Sequence, residues 1–174
     1  MLRHDIAIAN VAAYRTFVGQ GFDALFNVTV TNQGDIPETF NFTVYANDTA
    51  IETHTVTYLL SGLNRSTTFT WNTTGLAYGN YTISTVASPV PVETDTADNN
   101  YTCWVIITLV GDITGQGGSP DWNVDMKDVS YVARRFLCLQ SDPLWDSNAD
   151  VNGDGKVDMK DISIPARHFG EQYP

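Results

Sequence analysis

Apolar and polar side chains alternate through most of the chain between residues 1 and 110. In the segment FNVTVT at residues 26–31, for example, every second side chain is apolar, which is the period of a half-buried β-strand. Seven such segments predict an all-β fold, an antiparallel sandwich of the immunoglobulin type. Turn signals rich in glycine and asparagine separate the segments, which lie at residues 5–14, 24–32, 39–47, 51–59, 66–74, 80–88 and 100–110.

Later in the chain the apolar period lengthens from two residues to that of a helix. Between Val129 and Leu137, apolar side chains recur at i, i+3, i+4, i+7 and i+8, which predicts a short helix with one apolar face. A second short helix has its apolar face between Ile162 and Phe169. Because Pro165 lies inside it, we expect a kink or a 3₁₀ start there.

An acidic loop precedes the second of these helices. The segment DVNGDGKVDMKD at residues 150–161 places an oxygen-bearing side chain at loop positions 1, 3, 5, 9 and 12. Glycine stands at position 6, where an EF-hand loop turns sharply, and position 7 contributes a backbone carbonyl. Because the ligands are all oxygen atoms, the loop favours Ca²⁺ over softer metals and over Mg²⁺. The predicted ligands are Asp150, Asn152, Asp154, Lys156, Asp158 and Asp161.

A second copy of this unit lies upstream. The same number of residues separates every matching pair of positions, for example 123 and 156. NVDMKDVSYVARRFL at residues 123–137 aligns at this offset with KVDMKDISIPARHFG at residues 156–170. The first loop is irregular, because Trp122 takes the turn position and about five residues are inserted near its start. We expect a second Ca²⁺ ion here, with Thr114 or a nearby carbonyl as an extra ligand. The predicted ligands are Asp112, Asp121, the Asn123 carbonyl, Asp125 and Asp128.

Each of the two units is a loop followed by a single helix. The residues before Asp150 are too rich in turn signals for an entering helix, and position 12 is Asp161, where the usual EF-hand has glutamate. Two such units in tandem resemble the type I dockerin, and the resemblance implies a calcium-binding domain that docks on a cohesin partner. In that family the two residues before the last ligand of each loop help to select the partner. The corresponding residues are Met126, Lys127, Met159 and Lys160.

Three segments of the first region also match a family pattern. They are NVTVTNQGDIPETFNFTVYAND at residues 27–48, TFTWNTTGLAYGNYTISTVA at residues 68–87 and ETDTADNNYT at residues 93–102. They resemble the strand B–C segment, the strand F and the acidic turn before the last strand of CARDB, the cell-adhesion-related immunoglobulin-like family. The resemblance covers about residues 4–110 and implies the same sandwich fold.

The sandwich is rich in sequons for N-glycosylation. Seven of the ten asparagines between positions 1 and 110 lie in Asn-x-Ser/Thr, whereas the rest of the chain contains no sequon. On the strands these asparagines are out of phase with the large apolar side chains, so we expect them on the solvent face. Glycans there would cover sheet edges and place the chain outside the cytoplasm. The predicted sites are Asn27, Asn41, Asn47, Asn64, Asn72, Asn80 and Asn100.

Composition changes near Gly111 and supports two domains. Residues 1–110 contain no lysine and three arginines, so we divide the chain into a sandwich at 1–110 and a dockerin-like α domain at 111–174. The net charge of −11 is split into −6 and −5 between these parts, without a basic patch. Nucleic acid and anionic membranes are therefore excluded as partners. A domain as small as the second buries little apolar surface, so metal has to supply much of its folding free energy.

Two cysteines are the remaining candidates for a covalent link. An oxidising compartment permits a disulfide between Cys103 in the last predicted strand and Cys138 on the first predicted helix. Alternatively, each is a buried thiol that acts as a small apolar residue. No apolar run is long enough to span a membrane, and residues 1–4 lead directly into a strand. We therefore expect no signal peptide and a processed portion of a longer surface protein.

Catalysis has little support in the sequence. His4, His54 and His168 are scattered, and no Cys or Ser has a base at nucleophile spacing. Trp71 and Trp104 stand at strand positions that we assign to the core. We expect an extracellular, N-glycosylated, calcium-binding structural or adhesion module, archaeal in style, that assembles into a surface layer, sheath or filament. The alternative is a fragment of a polysaccharide-degrading complex whose dockerin docks on a cohesin.

Overall fold

The computed structural model describes residues 2–173 and contains eight β-strands followed by two α-helices. Each predicted strand segment overlaps one of the longer strands. In chain order the elements are β1 (Ile6–Ala13), β2 (Phe17–Gly19), β3 (Asp23–Asn32), β4 (Glu38–Ala46), β5 (Thr49–Leu59), β6 (Asn64–Asn72), β7 (Gly79–Ala87), β8 (Asn100–Thr108), α1 (Met126–Ala133) and α2 (Met159–Arg167).

The strands form two sheets, which confirms the predicted all-β fold. One sheet has three strands in the order β1-β3-β6, and the other has five in the order β2-β8-β7-β4-β5. The pairs β1–β3, β4–β5 and β4–β7 are antiparallel, whereas β2 pairs with β8 in parallel. Sequence analysis missed β2, because so short a strand does not show an alternating pattern.

The alternation of apolar and polar side chains along the strands corresponds to burial of one face of each sheet. In β3, Phe26, Val28 and Val30 are at most 1% exposed, whereas Asn27 between them is exposed. Phe42 of β4 contacts the Phe69 ring edge to face, with 5.6 Å between the ring centroids. Burial of such aromatic and β-branched side chains supplies the main stabilising free energy of the fold.

The two strand tryptophans differ in their surroundings. Trp71 is half-buried, and its ring lies 6.3 Å from that of Phe26 and 5.2 Å from that of Tyr81. Trp104 is 47% exposed, so its assignment to the core was wrong. Val105, the next residue of β8, is fully buried, and Trp104 lies on the opposite face of the strand.

Two compact units interleave along the chain. The first unit comprises residues 2–14, 25–71 and 81–104, and the second comprises residues 15–24, 72–80 and 105–173. The second unit therefore combines both predicted calcium loops and both helices with segments from three parts of the strand region. It has its own apolar core, formed by Ile113, Val132, Cys138, Ala149, Val151 and Val157.

Both helices begin at the same kind of cap. The carboxylate of Asp125 accepts a hydrogen bond from the Lys127 amide at 2.6 Å, and Asp158 does the same for Lys160 at 2.7 Å. Aspartate is a favoured N-cap, because its oxygen pairs with an amide that has no partner within the helix. The loop residues at position 9 therefore also start the helices.

The helices end earlier than their apolar patterns predict. Phe136 and Leu137 are 43% and 70% exposed, because α1 stops at Ala133 and the chain turns away through Leu137, whose φ is +67°. In α2 the expected 3₁₀ start is absent: the helix is α-helical from Met159 through Pro165. The proline removes only one backbone hydrogen bond there.

Candidate metal centre

The second predicted calcium loop is organised around two buried carboxylates. Asp150 at position 1 accepts hydrogen bonds from the amides of Gly153, Asp154 and Gly155 at 2.9, 3.0 and 2.8 Å. Asp161 at position 12 is also fully buried. These bonds fold the loop back on its first residue.

Asp161 closes the loop from its other end. Its carboxylate accepts hydrogen bonds from the amides of Asn152 at 3.1 Å and Asp158 at 2.8 Å, which are loop positions 3 and 9. The last ligand is thus tied to the middle and the end of the loop through the backbone. Sequence analysis predicted both carboxylates as metal ligands, but it gave no sign of these backbone bonds.

The first loop repeats this hydrogen-bond pattern in spite of its inserted residues. Asp112 is buried, and its carboxylate accepts hydrogen bonds from the amides of Asp121 at 3.2 Å and Trp122 at 3.0 Å, loop positions 5 and 6. The Asp128 carboxylate accepts from Thr114 at 2.9 Å and from Asp125 at 2.9 Å. Asp112 and Asp128 therefore make the same kinds of contact as Asp150 and Asp161. Whether they bind a cation stays a prediction.

Trp122 occupies the turn position that glycine occupies in the second loop. Its φ is +65°, close to the +88° of Gly155, although a left-handed backbone is costly for a bulky residue. Its ring lies 6.4 Å from that of Tyr78 and 5.9 Å from that of Tyr173. This aromatic packing offsets the backbone cost and explains how the loop tolerates tryptophan.

A pair of short backbone bridges connects the two loop–helix repeats. Val157, at position 8 of the second loop, exchanges backbone hydrogen bonds with Leu137 and Cys138, after α1. Val124, the matching residue of the first repeat, exchanges the equivalent bonds with Gly170 and Glu171, after α2. Each loop is thus paired with the segment that follows the helix of the other repeat. The repeat offset predicted the second copy of the unit, but these bridges between the two copies were not predicted from it.

The carboxylates of both loops fit a hard cation. Burial is the main cause that raises the pKa of Asp112 to about 6, and it also raises the pKa values of Asp128 and Asp161. Asp121 has a buried carboxylate oxygen, Oδ1, without a hydrogen-bond partner. Crowded, desolvated carboxylates are stabilised when a cation lies among them. Their oxygen chemistry is the one that Ca²⁺ takes.

The fit depends on amide and carbonyl oxygens as well as on carboxylates. Among residues 2–173, no group of three or more His, Cys, Asp and Glu side chains is arranged to hold a metal ion by itself. The predicted sets add the Asn152 side chain and the carbonyls of Asn123 and Lys156 to the carboxylates. Both carbonyl-bearing residues lie in isolated β-bridges, with Gln172 and Leu139, which fix the backbone at loop position 7.

Lysines at the start of each helix face the outer carboxylates of the loops. The Lys127 ammonium lies 3.1 Å from Asp121 and 3.2 Å from Asp125, and that of Lys160 lies 3.5 Å from Asp154. These ion pairs are exposed, so each contributes little to stability. Met126 and Met159 beside them are 61% and 62% exposed. All four predicted partner-binding residues therefore lie at the surface, and their role stays a prediction.

Comparison with known families assigns both parts of the chain. The CARDB sequence model matches residues 5–103. The chain belongs to the CARDB family. The model of the dockerin type I domain matches residues 118–169, so a type I dockerin domain follows the CARDB domain. A comparison with curated proteins found no match.

Solved structures are similar to the CARDB domain. One is the CARDB domain of a Pyrococcus furiosus protein, solved in complex with di-metal ions. It is 26% identical, covers 62% of this chain and 96% of its own, and has a TM-score of 0.54. Another, from a Methanosarcina acetivorans protein named for the cell surface, is 23% identical, covers 60% and 92%, and has a TM-score of 0.50. At that identity the second shows the fold alone.

The family assignments establish the general character of the chain. Type I dockerin domains bind calcium and dock onto cohesin domains. CARDB and dockerin domains are non-catalytic and are typical of extracellular or cell-surface proteins. Within residues 2–173, neither helix has the length and hydropathy that crossing a bilayer requires.

Arg15, from the CARDB match, supports the second predicted calcium loop within the second unit. Its side chain is only 5% exposed. It donates hydrogen bonds to the carbonyls of Asp150 and Val151 and, at 2.9 Å, to that of Asp23. Sequence analysis missed this residue, since nothing near it in the chain indicates a buried cation.

Asn148 provides a second support for the same loop. Its side-chain oxygen accepts hydrogen bonds from the backbone amides of Thr16 at 2.9 Å and Phe17 at 3.1 Å. Sequence analysis used Asn148 only as a turn signal before the loop. Together with Arg15 it ties the residues around loop position 1 to residues 15–17 of the same unit.

All seven sequon asparagines of the CARDB domain are exposed. The domain also has three asparagines outside sequons, of which Asn32 and Asn99 are buried, at 0% and 4% exposure, and Asn10 is exposed. The glycosylation sites predicted from strand phase are thus accessible in the fold. Their modification stays a prediction.

Cys103 and Cys138 are free thiols in the structure, and the disulfide that the sequence permits between them stays a prediction. Cys138 is buried in the dockerin core beside Val132 and Val157, where it acts as a small apolar residue. Cys103 is half-buried in β8, and burial raises the pKa of its thiol.

Proposed function

We propose that the chain is an N-glycosylated structural or adhesion module of a cell surface, in which two Ca²⁺ ions hold the dockerin domain in shape. One observation carries the proposal, although the two loops are unequal in length. In both, the first buried carboxylate accepts hydrogen bonds from the amides at positions 5 and 6, and the last from those at positions 3 and 9. Such a shared geometry is expected when both loops have the same ligand to enclose. The proposed ligands are those named from the sequence for each loop.

The dockerin domain is proposed as the assembling part of the chain, in a surface layer, sheath or filament. Met126 and Met159 are related by the repeat offset, and both are more than half exposed beside a calcium loop. Flexible, exposed methionines are common in docking surfaces. The repeat thus offers two similar contact faces, one on each helix.

Assembly is tested with the double variant Met126→Glu/Met159→Glu. We expect wild type to form larger species in Ca²⁺ but not in EGTA, by analytical ultracentrifugation, and the double variant to stay monomeric in both, because it buries charge in the contact. Leu63→Glu, at another exposed apolar position, serves as the control and should assemble normally. Wild type that stays monomeric in both solutions rules out self-assembly through this domain.

A second candidate function has the dockerin family match in its favour. In this case the domain docks on a cohesin, and the chain is part of a polysaccharide-degrading complex. Two results together would favour this candidate. An immobilised cohesin captures the chain only in the presence of calcium, and the chain without cohesin stays monomeric. Loss of capture in the double methionine variant would assign the contact to the same faces.

Glycosylation is the third part of the proposal. Exposure of all seven sequon asparagines supports it, since the enzyme and the glycan both need access. In protein purified from its native source, we expect glycopeptides at several of these seven positions by mass spectrometry. The peptide with exposed Asn10, outside any sequon, should be unmodified. Seven unmodified sequon peptides would contradict the proposal.

A further inference from the structure

Two carboxylates of the first unit each have a buried oxygen without a hydrogen bond. Asp5 is 2% exposed; its Oδ2 lies 2.6 Å from Arg3, and its Oδ1 has no partner. Asp98 precedes β8; its Oδ2 accepts a hydrogen bond from the Gln33 side chain at 3.0 Å, and its Oδ1 is also buried without a partner. A buried acceptor without a hydrogen bond raises the free energy of the folded state, so we expect each of these oxygens to bind a ligand.

Gln33 and the backbone hold the two carboxylates in one region. The Gln33 amide donates to the Asp5 carbonyl at 2.9 Å, while its side chain binds Asp98. The Ile8 amide of β1 donates to the Asp98 carbonyl, also at 2.9 Å. The segment before β1 and the turn before β8 are therefore fixed against each other by hydrogen bonds from both sides.

Negative charge exceeds positive charge around these oxygens. Burial is the main cause that raises the pKa of Asp5; Arg3 opposes it, and Asp98, Asp95 and Glu93 add to it. The Arg3 side chain is 59% exposed, so it screens the cluster only from outside. A single arginine thus faces four acids.

Both carboxylate oxygens of Glu93 accept hydrogen bonds from backbone amides in this region. One of its carboxylate oxygens accepts from the Ile6 amide at 2.9 Å and the other from the Val90 amide at 2.8 Å. The same carboxylate therefore ties the acidic turn to the start of β1. Asp95 is exposed on that turn, and its charge also raises the pKa of Asp5.

We propose that Asp5 Oδ1 and Asp98 Oδ1 bind a divalent cation of the hard, oxygen-liganded class, namely Ca²⁺. Two carboxylates are too few for a full coordination shell of six to eight oxygens, so water from the Asp95 side completes it. All these residues belong to the first unit, so this site is separate from both dockerin loops.

The test is a Ca²⁺ titration of the full ¹⁵N-labelled chain, followed by amide chemical shifts. We expect the amides of Ile6, Ile8 and Gln33 to shift in a saturable way below about 10 mM, which exceeds the Kd range of extracellular calcium modules. The Gly153 and Gly155 amides report the dockerin loop in the same spectra. If the dockerin amides shift and the first set does not, the proposed site is refuted while the dockerin proposal stands.

Variants assign the shifts to the two carboxylates. Asp98→Asn and Asp5→Asn keep the side-chain shape but remove charge, and each is expected to weaken the Ile6, Ile8 and Gln33 response about tenfold or more. Glu52→Gln removes an exposed acid of β5 and should leave the response unchanged. Because Asp98 is only half-buried, its variant remains informative if Asp5→Asn fails to fold.

Two further outcomes would overturn the proposal. An unchanged response in both variants would place the ion elsewhere. If the same amides titrate with pH but not with Ca²⁺, then a shared proton, and not a cation, neutralises the two carboxylates.

Discussion

Replacing Asp161 with alanine is expected to unfold the dockerin domain and to leave the core of the first unit folded. The substitution removes the acceptor of two backbone amides, those of Asn152 and Asp158, at a buried position. Each unpaired buried amide costs about 1–3 kcal/mol. The proposed calcium site also loses a charged ligand, and in small metal-binding domains the binding free energy is folding free energy.

The size of the dockerin core makes this loss decisive. Its apolar cluster has six buried residues, two of which are the small Ala149 and Cys138, and the five others packed against it are only partly buried. So small a core gives a low margin of stability, and a loss of roughly 3 kcal/mol or more exhausts it. Chelation of calcium from the wild type should have the same effect, since it leaves the buried carboxylates without a counter-charge.

Tryptophan fluorescence and circular dichroism during urea unfolding measure this effect. We expect Asp161→Ala in Ca²⁺ to resemble wild type in EGTA, with an early transition for the second unit. Asp48→Ala, at an exposed aspartate of the CARDB domain, is the matched control and should unfold like wild type. If wild type unfolds at the same urea concentration with and without calcium, the proposed role of the metal is wrong.

Replacing Arg15 with methionine is expected to destabilise the second unit by about 2–4 kcal/mol. Methionine keeps much of the length of the side chain but donates no hydrogen bond, so the carbonyls of Asp150, Val151 and Asp23 lose a buried donor. Two of these carbonyls belong to positions 1 and 2 of the second loop. We therefore also expect weaker calcium binding by that loop, although Arg15 is none of its ligands.

A matched substitution separates the role of Arg15 from a general loss of positive charge. Arg65→Met changes an exposed arginine of β6 and should alter the free energy of unfolding by less than about 0.5 kcal/mol. Calorimetric titration with Ca²⁺ gives the affinity, and thermal unfolding gives the stability. An Arg15→Met protein with the stability and calcium affinity of wild type would show that its hydrogen bonds are dispensable.

The sequence by itself determined the features that depend on local patterns. Alternation located every strand except the short β2, because one face of each is buried and the other is solvated. The spacing from Asp150 to Asp161 defined the loop, since an EF-hand-type loop brings set positions toward one centre. The constant repeat offset then predicted the second loop and the second helix together.

Only the tertiary structure decided which distant residues meet. Strand β2 exists because it pairs with β8, and Arg15 is buried because the loop at Asp150 offers it carbonyls. Asp5 and Asp98 are far apart in the chain and share no motif. Gln33 nevertheless donates hydrogen bonds to both, from its backbone amide to the Asp5 carbonyl and from its side chain to the Asp98 carboxylate. Local patterns record which face of a segment is buried, but they do not record its partner. The packing of the whole chain sets contacts of this kind, and these contacts bring separate segments of the chain together in the second unit.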